Sequence, residues 1–295
     1  MKKAFLYIIL AGIFWGTSGI FVHYLAPYGF SSLQMTFVRG AVSFIGMLLY
    51  VLVCRRGALR VRALDLLCCV FIGITLFLTG SCYFTSMQMT SVSTAVVLMY
   101  SAPVYVSIFS ALFLGERFSR LKWFAVGCML AGCCLVSGVI GGLRFDLVGI
   151  LIGMLSGISY AAYNILTKIS MRRGNDPITT TLYSFLFMVL IAALFAKPGQ
   201  IPALVAPSPL LLIPLLVGMG VLTYVAPYFL YTLGIRDLPA GTASALGIVE
   251  PMAATLFSLF LLQEPIGWIS ALGILLIVGS VFILAKAEDG KGETA

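Results

Sequence analysis

The sequence predicts an all-α polytopic membrane protein: ten transmembrane helices forming two inverted five-helix repeats, with both termini cytoplasmic. Three observations predict it. Of 295 residues, 61% are hydrophobic and 9% charged, whereas an ordinary soluble domain carries about 25% charge. Apolar runs of the length that crosses a bilayer, about 20 residues, recur along the chain, and its two halves resemble each other. This composition excludes a soluble enzyme, a disordered tail and a secreted disulfide scaffold.

The runs fall at 5–25, 33–54, 64–86, 92–114, 121–140, 147–167, 178–196, 210–233, 240–262 and 266–285. Lys2-Lys3 ahead of the first run imitates a signal peptide, but the run continues to Phe21 with no small-x-small cleavage site and reads as a retained span. Ser31-Ser32 supplies capping side chains before the second span. Asp176-Pro177 and Ser208-Pro209 set a capping residue ahead of a proline suited to the first helical turn, before spans seven and eight. The seven cysteines lie in or beside apolar runs without a CxxC pair. With His23 the single histidine, the sequence predicts no metal site and no cofactor.

Orientation follows from Lys and Arg. With the N-terminus inside, cytoplasmic loops hold 15 of the 18 basic residues, outer loops hold Arg144 and Lys197, and Arg39 lies within span two. That asymmetry is the positive-inside pattern. The net charge of +8 is therefore a topology signal, not a nucleic-acid footprint.

Span one reads Ile9-Leu10-Ala11-Gly12, then Gly16 and Ser18; span six reads Ile150-Leu151-Ile152-Gly153, then Gly157 and Ser159, a constant offset of 141. Thr94-Ala95, Pro103 and Glu116 match Thr242-Ala243, Pro251 and Glu264 at an offset of 148. An odd number of spans per copy turns the second copy over in the bilayer, and inverted repeats are typical of secondary transporters with a midplane site. The expected units are residues 4–140, residues 147–285 and a polar cytoplasmic tail, 286–295.

These residues resemble the EamA family of the drug/metabolite transporter superfamily. The resemblance rests on Pro103…Leu114-Gly115-Glu116, Glu250-Pro251…Leu262-Gln263-Glu264, Phe14-Trp15-Gly16 and the Arg39 region, and covers roughly residues 4 to 285. It implies a ten-helix fold around a central cavity, in carriers that move amino acids or other small metabolites, often outward. The second copy departs from the first with Gln263 opposite Gly115 and Ser156 opposite Trp15.

Glu250 lies near the middle of span nine, where a carboxylate is costly and marks function by default. Pro251 beside it, like Pro103 in span four, cannot donate a backbone bond and marks a helix discontinuity. Glu250 is thus a candidate for substrate binding and for coupling; packing is the competing role. Trp15, Tyr83, Tyr100, Tyr160, Tyr163, Asn164 and Tyr228 are candidate substrate-binding residues, because polar-tipped side chains deep in a span need a partner or a wet cavity. His23, near the outer mouth, is a candidate for coupling or gating. Arg39, Glu116 and Glu264 read as structural helix-end or ion-pair residues, with Glu264 one possible partner for Arg39. Lys168 reads as snorkelling at the cytoplasmic side, and Tyr7, Tyr24 and Tyr231 as interfacial anchors.

The functional expectation is a secondary transporter in the cell membrane (inner or plasma), most readily an exporter of amino acids or related compounds working by alternating access. A multidrug or cation exporter would use the same aromatic cavity and carboxylate. An intramembrane enzyme would need motifs the sequence lacks: there is no HExxH and no GxSxG. The expected partners are a small-molecule substrate and the lipid bilayer, not nucleic acid. One chain carries both repeats, which is compatible with a functional monomer.

Overall fold

The computed structural model describes residues 2–90, 92–116, 118–137, 146–261, 263 and 267–292. Every regular element among them is helical. The first half holds α1 (Lys2–Gly16), α2 (Ser18–Leu25), α3 (Ser32–Cys54), α4 (Ala63–Met89), α5 (Val92–Tyr100), α6 (Ala102–Leu114) and α7 (Arg120–Ser137). The second holds α8 (Leu147–Arg172), α9 (Pro177–Ala196), the short α10 (Ile201–Val205), α11 (Pro209–Gly220), α12 (Ala226–Asp237), α13 (Ala240–Leu246), α14 (Val249–Leu261) and α15 (Trp268–Gly292).

Among the described residues, nine stretches are long and apolar enough to cross a membrane. The remaining expected span, 121–140, corresponds to α7, and its last residues lie outside the described set. The polar segment expected from residue 286 begins as a continuation of α15, which runs to Gly292.

Entry chemistry explains some helix starts and not others. Ser31 accepts from the Gln34 backbone N–H while the Gln34 side chain accepts from the Ser31 N–H, a reciprocal capping box for α3. Asp146 caps α8 by accepting from the Gly149 N–H at 2.8 Å. Asp176 and Ser208 do not cap as expected: neither makes a side-chain cap bond, though Pro177 and Pro209 do sit in the first turns. Asp176 Oδ2 instead takes the Thr179 hydroxyl at 3.5 Å.

Four spans are interrupted. α5 and α6 meet at Ser101, two residues before Pro103, and α13 and α14 meet at Gly247-Ile248, just ahead of Glu250 and Pro251. Between α1 and α2 the chain breaks at Thr17, whose hydroxyl folds back onto the Phe14 carbonyl at 2.7 Å. Between α11 and α12 a π turn over Val221–Val225 precedes Pro227. Proline signals the π turn only by its lack of an N–H; the Thr17 break has no proline at all.

Glycine contacts show the internal symmetry as packing. A Cβ on Gly16 of α1 would stand 2.8 Å from both Ala253 Cβ and Ala254 N of α14, and a Cβ on Gly157 of α8 would stand 2.7 Å from the Leu98 carbonyl of α5 and 3.3 Å from the Tyr105 ring of α6. Ala253 and Tyr105 are themselves related by the offset of 148. Each repeat's first span thus packs on the broken span of the other. Gly132 of α7 and Gly273 of α15 meet reciprocally, each hypothetical Cβ within 2.8 Å of the other's carbonyl oxygen.

Candidate functional site

The broken spans carry the site. Glu250 lies in the first turn of α14 and in the middle of the apolar stretch Ala240–Leu261, about 15 Å from either end at 1.5 Å per residue. Its backbone is crossed by α1, where a Cβ on Gly12 would meet the Glu250 nitrogen at 3.4 Å. Yet Glu250 is part-exposed, as are Tyr83 and Tyr228. Tyr100 lies beside the carboxylate, its hydroxyl without an aligned hydrogen bond.

Arg39, from α3, supplies the positive charge that acts on Glu250. It is buried, donates to Thr36 Oγ1 at 3.3 Å and stands over the rings of Tyr224 and Phe84, 5.0 and 5.5 Å from their centroids. Cation–π contacts of this kind stabilise a guanidinium removed from water, while its Nε has no partner. Glu264, the partner the sequence offered for Arg39, lies outside the described residues.

Aromatic rings from α1, α8 and α12 form a cage, two of whose members, Tyr160 and Tyr228, feel the charge of Glu250. Trp15 meets Tyr228 at 5.1 Å and Tyr231 at 5.3 Å, and Tyr160 stacks on Tyr163 at 5.9 Å. Tyr163 meets Tyr228 edge-on at 5.6 Å, and Phe185 of α9 closes one side of Tyr228 at 5.7 Å. The Trp15 indole N–H is buried without a partner. Buried polar atoms are normally paired, which leaves this N–H as an open donor of the cage.

Several residues have roles the sequence did not show. Tyr231 is not an interfacial anchor: it is fully buried in the cage, because α12 continues past the apolar run to Asp237 and carries Tyr231 inward. Asn164 does not open onto a cavity; it is fully buried, accepts from the Tyr231 hydroxyl and donates to the Tyr160 carbonyl at 2.7 Å. Lys168 does not snorkel. Its ammonium is buried and donates to the carbonyls of Ile235, Arg236 and Leu238 at 2.8, 3.1 and 2.6 Å, satisfying the open end of α12. His23 is exposed and packs edge-on against Tyr24 at 5.3 Å, and Pro103 and Pro251 are buried.

Glu116 joins the two halves at the end rich in arginine. Its carboxylate accepts from Arg172 Nη2 at 3.3 Å and from the Ala240 N–H at 3.0 Å, while Arg172 Nη1 donates to the Leu114 carbonyl at 2.8 Å. Burial raises its pKa, against the opposing effects of Lys168, the Ala240 N–H and Arg172.

Fold and site together define a multi-pass membrane protein of two similar halves that meet around a polar, aromatic midspan site. The EamA-like transporter family model matches residues 2–138 and again 147–286. The chain belongs to that family and is a membrane transporter. It is 27% identical over 293 residues to the uncharacterized transporter YwfM of Bacillus subtilis (strain 168), covering 96% of this chain and 93% of that protein. An uncharacterized transporter of Archaeoglobus fulgidus is 29% identical, with 94% of each chain covered. The pseudopaline exporter CntI of Pseudomonas aeruginosa (strain UCBPP-PA14) is 25% identical, over 72% of this chain and 77% of its own. One crystal structure superposes on 96% of this chain and 96% of its own with a TM-score of 0.78 at 19% identity, a likeness of fold alone.

Proposed function

We propose that this chain is a secondary active exporter of small organic metabolites, amino acids or related compounds, in the cell (inner) membrane with both termini cytoplasmic. Rocking of two inverted repeats about the Glu250 region gives alternating access. The observation that carries this reading is Glu250: a part-exposed carboxylate in mid-span, within the electrostatic reach of Arg39 and of Tyr160 and Tyr228 of the aromatic cage. The Arg39 charge acts on Glu250 through its field, and a carboxylate and a guanidinium in one field suit the two charges of a zwitterion, whereas the Arg39 charge opposes binding of a simple cation. That disfavours the multidrug-cation alternative. The printed name of the Pseudomonas relative supports the outward direction.

At the arginine-rich end Glu116, Arg172 and Ala240 bind across the halves. The test is uptake of labelled amino acids, aromatic members included, into proteoliposomes of wild type and Glu250→Gln, with and without a pH gradient. Saturable flux that loses its gradient dependence in Glu250→Gln assigns coupling to Glu250. Absence of flux for every amino acid would sink the substrate class.

A further inference from the structure

Two short loops, Cys54-Arg55-Arg56-Gly57-Ala58-Leu59-Arg60-Val61-Arg62 and Arg172-Arg173-Gly174-Asn175-Asp176, concentrate arginine at one end of the fold. Topology accounts for their side of the membrane but not for their shape. With the starts of α4 and α9 they line an open-mouthed cavity of about 520 Å³, bordered by Arg55, Arg60, Arg62, Arg173, Asp65 and Asp176, among others. Arg173 Nη1 lies 3.8 Å from Asp65 Oδ1. Four arginines against two aspartates leave an excess of two positive charges. The walls are fixed in advance: Thr179 donates to the Ala58 carbonyl at 2.9 Å and Tyr183 to the Leu59 carbonyl at 2.7 Å, pinning the first-half loop onto α9.

Thr180 at the edge of this cavity also borders a second, narrow space of about 10 Å³, about the room one water needs. That space is lined by hydroxyls of Thr167, Thr181, Ser184 and Thr232 and ends on Tyr163 and Tyr228, two rings of the cage. Thr167 and Ser184 interact with Tyr163 and Cys69 respectively, so the space is edged by hydroxyls with a thiol beside them, groups that suit a path that becomes wet.

We infer that the arginine-lined cavity is an entry subsite that gathers small organic anions bearing carboxylate or phosphate. When the constriction opens, the solute passes along Thr180, Thr181 and Ser184 to the cage. Guanidinium forks recognise such groups bidentately, and a concave, positively charged mouth raises the local anion concentration. The inference rests on the transport reading and deepens it: among amino acids and related compounds it favours those whose carboxylate or phosphate end leads into this mouth.

The test uses reagents in place of the unidentified solute. Gly57 lines the cavity, and a Cβ there meets nothing within 4 Å, so Gly57→Cys places a thiol in it. With Cys54→Ser and Cys69→Ser removing the cavity's own thiols, an anionic sulfonatoethyl and a cationic trimethylammonium-ethyl methanethiosulfonate are applied to purified protein in phosphatidylcholine vesicles. Rates are normalised to a free thiol. The expected result is about tenfold preference for the anionic reagent, cut about threefold or more by Arg60→Gln/Arg62→Gln. Equal normalised rates, or a preference indifferent to those arginines, would overturn the inference. Asn175→Cys reports on the same cavity if Gly57→Cys does not fold.

Two further arms separate the alternatives. A preference that vanishes when phosphatidylglycerol is included assigns the cavity to a lipid headgroup and overturns the solute subsite. Ser184→Cys is expected to label from the arginine-rich end more slowly than Gly57→Cys; complete protection from that end overturns the passage along the hydroxyls. Labelling does not depend on flux, so failure of the transport reading and failure of the subsite are read separately.

Discussion

The Tyr231 hydroxyl donates to the Asn164 side-chain oxygen, and the Asn164 amide donates in turn to the Tyr160 carbonyl, so one buried asparagine ties α12 to α8 behind the cage. Removing the shared member strands its partners. Asn164→Ala leaves the Tyr231 hydroxyl buried without an acceptor, and the expected cost is about 1–3 kcal/mol. Tyr231→Phe leaves the buried Asn164 side-chain oxygen without its donor and is expected to cost a similar amount, about 1–3 kcal/mol. Thermal unfolding in detergent of both single variants and the double variant measures this; strict additivity would show that the two residues act separately.

Glycines at the crossings differ in what they tolerate. A Cβ on Gly16 lands 2.8 Å from Ala253 Cβ and from the Ala254 backbone nitrogen, whereas one on Gly19 meets nothing within 4 Å. Gly16→Ala therefore forces α1 away from α14 and is expected to cost about 1–3 kcal/mol, as overpacking does. Gly19→Ala removes backbone freedom from a helical position and is expected to be neutral or stabilising by up to about 1 kcal/mol. Equal melting temperatures for the two variants would contradict the close approach of the two spans.

Glu116 makes a prediction about pH. Burial raises its pKa above the ordinary value of 4.5, so the folded chain binds this proton more tightly than the unfolded one. Its contribution to stability is then greatest below 4.5 and falls as pH rises through the raised value. Glu116→Gln is expected to remove that slope. Its Arg172 partner is half-exposed, so the ion pair itself contributes about 1 kcal/mol or less at neutral pH. Melting temperatures of the two proteins from pH 4 to 7, about the range where carboxylates titrate, check the sign; parallel curves would refute it.

The membrane class, the two halves and the breaks near Pro103 and Pro251 are legible in the sequence because each has a one-dimensional cause: apolar run length, fixed offsets and a missing N–H. Other features depend on what comes together in space. Tyr231 reads as interfacial because hydropathy ends the eighth run at 233, while the helix carries polar residues on to Asp237. Lys168 reads as snorkelling because nothing local shows that the carbonyls ending α12, 67 to 70 residues away, close over it. The break at Thr17 leaves only a Gly-Thr-Ser stretch as its trace. The arginines of two distant loops read as a topology signal until the fold makes them the wall of one cavity.

Arg39 and Glu250 are opposite charges held inside the bilayer-spanning region, from α3 and α14. Removing Glu250 leaves the buried Arg39 without its nearby opposite charge, and removing Arg39 leaves a part-exposed carboxylate uncompensated, so each change is expected to destabilise by roughly 1–3 kcal/mol. Arg39→Gln and Glu250→Gln should each destabilise the chain, and the double variant should be more stable than the Arg39→Gln single, because neither charge is then alone. Function separates the roles that stability merges. If Glu250 carries the coupling proton and Arg39 positions it, Glu250→Gln retains passive exchange but loses pH-gradient-driven accumulation, while Arg39→Lys, which keeps the charge but not the stacking on Tyr224 and Phe84, keeps the coupling with a higher KM. Should Glu250→Gln retain full gradient-driven accumulation while still destabilising the chain, the pair is a structural one and the coupling proton is carried elsewhere.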